Sequence, residues 1–261
     1  PASIVDFVKA NYDMTRVKTA SYDGKIYGVP LFQGQGALFY NTDRFAKAGL
    51  TAPPKTMAEY TAYAQKLVQR DASGAPTVSG WSLRLSGGGS GIAEKYWTIL
   101  YNFGGTLLEE KGGKWRAAYA SEAGRNALKL YLDNVVAYRT VSPEMKADAE
   151  AFELGQTAMF IRESWVIGDV AKKAPGLKYA TAPLPKGTLM VPVDLYVPNK
   201  GPKSQIAWDF VQKANAPENL LWLVENMAWV PNRKGLDYSA VISKIPQLGA
   251  FVNTPADYVF F

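Results

Sequence analysis

Apolar residues follow a helical spacing in some segments of the chain and a strand-like pattern in others. Residues 57–68 carry apolar side chains at helical spacing, and Thr56 and Glu59 form a capping-box pattern at the start of this segment. Asp23-Gly24 is typical of a two-residue hairpin turn, because both residues tolerate positive φ. The pattern predicts helices over residues 57–68, 92–102, 121–138, 143–155, 204–214 and 217–226, a hairpin over 20–30, and strands at 37–41, 80–85, 157–161, 178–183 and 194–198. Since strands alternate with helices, the predicted fold class is α/β.

Composition narrows the possible chemistry. The chain has 261 residues, which is long for one domain and sufficient for two, and 48% of them are hydrophobic, enough for a sizeable core. It has no cysteine and no histidine, which excludes thiolate chemistry and removes the commonest general base and the commonest transition-metal ligand. No cofactor is expected. A hydrolase that uses only carboxylates remains open.

Charge indicates neither a nucleic-acid arm nor a membrane span. The formal net charge is +6, but the basic residues are spread along the chain and form no long run. No apolar run reaches the roughly 18 residues of a transmembrane helix. A nucleic-acid partner is therefore not expected.

The glycine-rich segment at residues 87–91 joins a predicted strand to a predicted helix. It lacks the Gly-Lys-Ser/Thr of a phosphate-binding loop, the spacing of a dinucleotide fingerprint and the last glycine of a nucleophile elbow. A helix start of this kind offers free backbone N–H groups to ligand oxygens. Gly89, Ser90, Gly91 and Lys95, one turn later, are therefore candidate ligand-binding residues, and a plain surface loop is the alternative.

Two carboxylates and two tryptophans have contexts that favour a site. Glu163 follows an apolar strand and precedes Ser164-Trp165, while Asp194 begins a predicted strand. Sugars present apolar faces to aromatic rings and hydroxyls to planar polar groups. Trp165 beside Arg162 and Glu163 offers both, and Trp229 near Arg233 offers the same combination. Catalysis by Glu163 and Asp194 is the less favoured interpretation of the two acids.

Several motifs, in order along nearly the whole chain, resemble those of extracellular solute-binding proteins of bacterial sugar ABC importers, the maltose-binding-protein-like family. The motifs are Tyr22-Asp-Gly-Lys-Ile-Tyr-Gly-Val-Pro30, Leu38-Phe-Tyr-Asn41, Pro53-Pro-Lys-Thr56, Phe103-Gly-Gly105, Phe152-Glu-Leu-Gly-Gln-Thr-Ala-Met159, Trp165, Ala182-Pro-Leu-Pro185 and Ala207-Trp-Asp-Phe210.

The resemblance implies a two-lobed periplasmic-binding-protein-like fold, with a cleft between the lobes and several hinge crossings. Residues 1–32 and 186–261 are expected in the first lobe and residues 36–182 in the second. Crossings are expected at 33–35, at 183–185 and near the end of the chain. Relative to the family, the sequence looks truncated at both ends, so the first lobe is expected to be incomplete.

The resemblance also implies a site and a function. It assigns ring stacking to Trp165 and cleft-lining positions to the glycine loop with Lys95, to Gln33 and Gln35, and to Trp229. The glycine and serine in that loop differ from the Glu-Pro-Tyr of maltose-binding protein, which counts against a maltodextrin.

The implied function is capture of a carbohydrate without catalysis and its delivery to a membrane ABC permease. The protein is expected to be a monomer and to be periplasmic or extracellular, tethered to the membrane if it is a lipoprotein. The alternatives are a hydrolase using Glu163 and Asp194, or a lectin-like module that binds without hinge closure.

Overall fold

The structure, a computed structural model, describes residues 2–86, 88–146, 148–198 and 201–261, and only the backbone of residues 2, 3 and 15. The strands are β1 (Ser21–Tyr22), β2 (Lys25–Ile26), β3 (Gly28–Asn41), β4 (Gln69–Arg70), β5 (Pro76–Val78), β6 (Leu108–Lys111), β7 (Lys114–Ala117), β8 (Met159–Glu163), β9 (Tyr179–Ala182), β10 (Gly187–Thr188), β11 (Met190–Tyr196), β12 (Val230–Pro231) and β13 (Val259–Phe260). The largest sheet has five strands and is built around β3, while the other strands pair in twos.

The helices are α1 (Ala2–Asn11), α2 (Met14–Val17), α3 (Thr42–Lys47), α4 (Met57–Leu67), α5 (Gly89–Asn102), α6 (Glu122–Leu132), α7 (Asp148–Glu153), α8 (Trp165–Lys173), α9 (Ser204–Ala214), α10 (Pro217–Met227), α11 (Ser239–Lys244) and α12 (Gly249–Val252). Thr56 caps α4, because its side chain accepts the Glu59 backbone N–H, and Ser121 caps α6 in the same way through Gly124. Both starts follow from the sequence pattern.

Strand β3 is the organising element of the fold. It has 14 residues, and at about 3.4 Å per residue it is about 45 Å long. Its first part, up to Gln35, pairs antiparallel with β11 and, over two residues, with β12. Its last part, from Gly36, pairs antiparallel with β8 and β9. One continuous strand therefore passes through both parts of the sheet.

Three buried clusters surround this strand. Leu38 belongs to a cluster with Trp81 and residues of α4, α5 and α6, while Phe39 belongs to another with Phe152, Phe160, Phe251 and residues of α8. Leu38 and Phe39 are neighbours, so the two clusters cover opposite faces of β3. The third cluster joins α1, the start of β3 and Val211 of α9. Alternation of side chains along β3 therefore decides what each face contacts.

Four sequence predictions about elements need correction. The strand expected at 37–41 begins at Gly28, because β3 runs through Gln33–Gly36 without a break. Residues 80–85 form only an isolated bridge at Ser82, since no neighbouring strand continues the ladder there. The helix expected from residue 143 begins at Asp148, after turns at 143–144. The helix expected to reach residue 138 is α-helical only to Leu132 and continues as a π-helical turn, Asp133–Ala137.

The remaining predicted elements agree with the structure, with shifted ends. The Asp23-Gly24 turn joins β1 and β2 as a hairpin, with both residues at positive φ. The predicted strand at 157–161 lies at Met159–Glu163, and the one at 194–198 begins earlier, at Met190. The helices at 204–214 and 217–226 are found nearly as expected.

Candidate ligand-binding site

Two glycines, the half-buried Gly34 and the buried Gly36, lie where the pairing partners of β3 change. Glu163, at the end of β8, pairs with Gly36, so its side chain lies on the same face as those of residues 34 and 36. A Cβ added at Gly34 would lie 3.6 Å from Glu163 Cγ. The Glu163 side chain therefore lies directly against the bare backbone of β3. We call the side of β3 with residues 32, 34 and 36 the glycine face.

Glu163 binds three side chains. Its Oε1 is 2.9 Å from Lys95 Nζ of α5, and its Oε2 is 3.0 Å from Arg162 Nη1. The indole N–H of Trp165 also donates to Oε2, at 3.3 Å. Because α5 packs on the glycine face next to Leu38, Lys95 reaches Glu163 with only 8% of its surface exposed.

Asp148, the first residue of α7, extends this group of charges. Its Oδ1 lies 3.0 Å from Arg162 Nε, and its Oδ2 lies 3.5 Å from Arg84 Nη1. Ser82 Oγ accepts the Asp148 backbone N–H at 3.0 Å and fixes the start of the helix. The result is an alternating row of three cations and two carboxylates, which we call the charge row: Arg84, Asp148, Arg162, Glu163 and Lys95.

The pKa values of the two carboxylates of the charge row are shifted in opposite directions. Burial raises the pKa of Glu163, but Lys95 and Arg162 outweigh it, so the pKa lies below its usual value. For Asp148 burial outweighs Arg162, Arg84 and Lys95, so the pKa lies above its usual value. Glu163 is therefore ionised at neutral pH and acts only as a hydrogen-bond acceptor.

Both candidate tryptophans lie next to this row. Trp165 begins α8, is partly exposed, and has the Arg162 guanidinium carbon 5.0 Å from its ring centroid. Trp229 precedes β12, and its ring centroid is 5.6 Å from that of Phe32 on the glycine face. Val230 pairs with Gln33, so the chain brings Trp229 to the level of Gly34. Trp229 thus lies level with Gly34, while Trp165 packs on the cluster around Phe39 and reaches the charge row through Glu163.

The glycine-rich loop reaches the candidate site through the start of α5. The helix begins at Gly89, three residues earlier than the sequence predicts, and Gly89 and Ser90 form its exposed first turn. Gly91 is buried against Arg84: an added Cβ would lie 2.3 Å from the guanidinium carbon. Gly91 therefore leaves room for one end of the charge row. Gly87, part of the predicted loop, lies outside the described residues.

Gln33 and Gln35 lie on the opposite side of β3, which we call the glutamine face. They are 3% and 2% exposed, and Gln33 Nε2 donates to Gln35 Oε1 at 2.5 Å. Gln33 Oε1 accepts from Arg16, and Gln35 donates to the Phe251 carbonyl. Odd residues of β3 point away from even ones, so these two amides are not in reach of Glu163. Their place in one ligand cleft with Trp165, which the sequence suggests, stays a prediction.

Asp194 lies far along β3 from Glu163. It pairs with Pro30 whereas Glu163 pairs with Gly36, and six residues of strand correspond to about 20 Å. Its Oδ2 accepts from Thr19 at 3.2 Å and from Tyr196 at 3.4 Å. Glycosidases place their two carboxyl groups roughly 5 to 9.5 Å apart. The two acids therefore do not form the pair that the alternative hydrolase function requires.

Asp148 was missed as a member of the site. From the sequence, Arg84 was expected near the cleft with Lys95 and Arg162, where the three permit an acidic or phosphorylated ligand or a neutral one, with a solvent-facing Arg84 as the alternative. The acids of residues 144–153 have the surface pattern of solvated charges, and nothing in their spacing distinguishes Asp148. Its φ of 65° and the φ of 50° at Arg84 are unusual for residues other than glycine, but they depend on tertiary contacts. No sequence signal could have paired the two.

The described part of the chain shows no metal site and no membrane span. Within it, no group of three or more histidine, cysteine, aspartate or glutamate side chains is placed to hold a metal ion. Among the same residues, no helix is long and apolar enough to cross a membrane.

The sequence profile of the family described as bacterial extracellular solute-binding protein matches residues 2–250. The chain belongs to this family. A binding protein of Brucella abortus (strain 2308) is 27% identical over 186 residues, which cover 70% of this chain and 43% of that protein. The chain thus aligns with somewhat less than half the length of that relative.

Solved structures show the same fold. The maltose-bound MalE3 of T. maritima has a TM-score of 0.81 at 20% identity, over 100% of this chain and 68% of that one. The ABC substrate-binding protein Lmo0181 of Listeria monocytogenes, in complex with cycloalternan, has a TM-score of 0.80 at 20% identity, over 98% and 66%. The predicted family and fold class, α/β and periplasmic-binding-protein-like, are confirmed. The family and these relatives are binding proteins rather than enzymes.

Proposed function

We propose that this solute-binding protein captures a carbohydrate on the glycine face of β3, outside the cytoplasm and without catalysis, and delivers it to an ABC permease. One observation carries the proposal: Trp165 and the charge row meet at Glu163, whose side chain lies against the half-buried backbone of Gly34. The sugars bound by the T. maritima and L. monocytogenes relatives support the ligand class.

The contacts suit a polyhydroxylated ligand. Glu163 is an ionised acceptor, and Lys95 and Arg162 keep further N–H groups beyond those bound to the carboxylates. A sugar hydroxyl both donates and accepts, so it can bridge such a carboxylate and cation. The partly exposed indole of Trp165 offers an apolar surface for the ring. Micromolar binding, about −8 kcal/mol, is within reach of this set.

We further propose that residues 33–35 of β3 form one hinge between a first lobe, 1–32 with 186–261, and a second lobe, 36–182, and that 183–185 forms another. The change of pairing partners along β3 supports this division, since β11 and β12 contact its first part and β8 and β9 its last. A ligand that touches both lobes would stabilise the closed form by its differential affinity.

Isothermal titration calorimetry with neutral mono- and oligosaccharides, uronic acids and sugar phosphates tests the proposal. We expect saturable binding of at least one carbohydrate without product formation. Trp165→Ala and Glu163→Gln should each weaken it by about ten-fold or more, as expected for loss of an aromatic contact or a charge-assisted hydrogen bond. Trp222→Ala is the matched control, because Trp222 is 59% exposed on α10, away from β3.

Two results would contradict the proposed function. One is the absence of binding by every carbohydrate in the panel. The other is binding that Trp165→Ala and Trp222→Ala weaken equally. Release of a hydrolysed sugar would instead favour an enzyme, with a carboxylate other than the Glu163–Asp194 pair.

A further inference from the structure

A separate cavity of about 210 Å³ lies on the glutamine face of β3. Gln33 lines it from the strand, Arg16 from α2, Asn232 from the end of β12 and Phe260 from β13. Because Gln33 points away from the glycine face, this cavity lies on the side of the strand opposite Glu163. None of the five members of the charge row lines it.

The cavity is positively charged. Arg16, Arg233 and Lys234 line it together with one carboxylate, Asp13, which gives the lining a formal charge of +2. Arg233 donates to the Asn215 carbonyl and, at 2.9 Å, to Asn11 Oδ1. Both acceptors are uncharged, so they position this guanidinium without neutralising it.

Arg16 is held in place by an amide and an aromatic ring, and the Asp13 carboxylate interacts with its charge. Its Nη1 donates to Gln33 Oε1 at 2.6 Å, and its guanidinium carbon lies 4.9 Å from the centroid of the Phe260 ring. A guanidinium has five N–H donors, so most of those on Arg16 remain for a ligand. A fixed, partly buried guanidinium binds oxyanions well, because little side-chain entropy is lost on binding.

Asn232 also lines the cavity and carries an unpaired acceptor. The residue is 2% exposed, and its Nδ2 donates to the Phe32 carbonyl at 2.9 Å. A carbonyl only accepts, so this contact fixes which side-chain atom is nitrogen. The other atom, Oδ1, is buried and has no hydrogen-bond partner among the described residues. A buried acceptor without a donor is unfavourable, so the site favours a ligand that donates there.

We propose that this cavity binds a small hydroxylated anion, whose charged oxygens pair with Arg16 and Lys234 and whose hydroxyl donates to Asn232 Oδ1. An anion alone leaves Asn232 Oδ1 unpaired, and a neutral polyol leaves the positive charge unpaired. The volume equals that of about seven liquid water molecules, which suits a compound of a few carbons rather than an oligosaccharide.

Three probes of similar size separate the two parts of the proposal. D-glycerate carries both a carboxylate and hydroxyls, acetate carries only the charge, and glycerol only the hydroxyls. In calorimetric titrations at low ionic strength we expect D-glycerate to bind at least about ten-fold more tightly than either of the others. Equal affinity for D-glycerate and acetate would overturn the proposal, and so would no binding of D-glycerate.

Variants locate the site. Arg16→Gln removes the charge but keeps an amide that can donate to Gln33, and it should weaken D-glycerate binding by about ten-fold. Lys234→Gln should weaken it by a few-fold, because Lys234 is exposed. Lys111→Gln, on the exposed strand β6, is the control and should have no effect. Thermal melting of each variant verifies that it is folded.

A site-specific readout completes the test. The side-chain amide resonances of Asn232, assigned by NMR, should shift on addition of D-glycerate, and Trp165→Ala should leave the D-glycerate affinity unchanged. Loss of affinity in Trp165→Ala would place the anion in the carbohydrate site and overturn the proposal. The carbohydrate titrations do not depend on this outcome, so either proposal can fail alone.

Discussion

The two faces of β3 at residues 32–36 pair their buried polar groups in different ways. On the glycine face, polar groups come from outside the strand and neutralise one another as ions, with Glu163 between Lys95 and Arg162. On the glutamine face, the strand supplies its own neutral amides, and the cation Arg16 binds to one of them. The first arrangement places paired charge beside bare backbone, and the second leaves positive charge uncompensated.

The difference between the two faces affects how strongly single substitutions destabilise the fold and which ligands each face favours. A buried ion pair contributes little net stability when intact, but removal of one partner leaves an uncompensated charge. A buried amide chain costs less when it is broken, because no full charge is exposed to a low dielectric. The glycine face should therefore be the more sensitive to single substitutions and the glutamine face the more receptive to anions.

The largest predicted effect is that of Glu163→Ala on stability. The substitution leaves Lys95 and Arg162 without their shared carboxylate, in a setting where Lys95 is 8% exposed. We expect a loss of about 2–3 kcal/mol in the free energy of unfolding, measured by urea denaturation. Glu150→Ala is the matched control: the exposed Lys146–Glu150 pair should contribute less than about 0.5 kcal/mol. Equal losses in the two variants would contradict the distinction between the faces.

Gln35→Leu should have the next largest effect, of about 1–3 kcal/mol. It removes the donor to the Phe251 carbonyl and the acceptor for Gln33 Nε2, and both groups are buried. Gln65→Leu, at an exposed position of α4, controls for the change in side-chain type. We expect carbohydrate binding to be retained by the folded Gln35→Leu protein. A loss of binding equal to that in Trp165→Ala would mean that the glutamine face belongs to the carbohydrate site.

Acid pH should distinguish the faces further. The folded-state pKa of Glu163 is lowered, so its contribution is present above the unfolded value of about 4.3 and is lost as the pH falls through the lower folded value. The destabilisation caused by Glu163→Gln should therefore shrink from about pH 7 to about pH 3.

Asp148 should show the opposite trend, because its folded-state pKa is raised. Its contribution is present below the unfolded value of about 3.9 and is lost as the pH rises. The free energy of unfolding of Asp148→Asn, relative to that of the unsubstituted protein, should therefore be highest at neutral pH. The effect of Gln35→Leu should be the same throughout, since an amide does not titrate. Urea denaturation at several pH values measures all three, and parallel curves for Glu163→Gln and Gln35→Leu would contradict the assignment.

The sequence predicted the family, the fold class and most elements, because capping patterns, turn residues and ordered motifs are local signals. It also predicted that Glu163, Trp165 and Lys95 belong together, and the structure places them in contact. It could not predict that Gln33 and Gln35 face away from Glu163, because facing depends on the register of β3 against its partners. The separation of Asp194 from Glu163 depends on the same register. The position of Asp148 depends on a helix start fixed by Ser82, 66 residues earlier.

The smallest predicted effect concerns the bare backbone itself. Neither Gly34 nor Gly36 has a positive φ, so alanine is allowed at both, and only the surroundings differ. A Cβ at Gly34 would make ordinary contacts, at 3.5 Å to the Val191 carbonyl and 3.6 Å to Glu163 Cγ, and stability should change by less than about 0.5 kcal/mol.

At Gly36 a Cβ would lie 3.1 Å from Thr188 Oγ1 and 3.2 Å from Ile161 Cγ2, tight enough to disturb the Gly36 N–H bond to Thr188. Gly36→Ala should therefore lower the melting temperature more than Gly34→Ala, by the equivalent of about 1 kcal/mol. Gly34→Ala should instead weaken carbohydrate binding, because the new methyl group occupies the surface beside Glu163. If Gly34→Ala binds carbohydrate as well as the unsubstituted protein does, the ligand does not lie on the glycine backbone of β3.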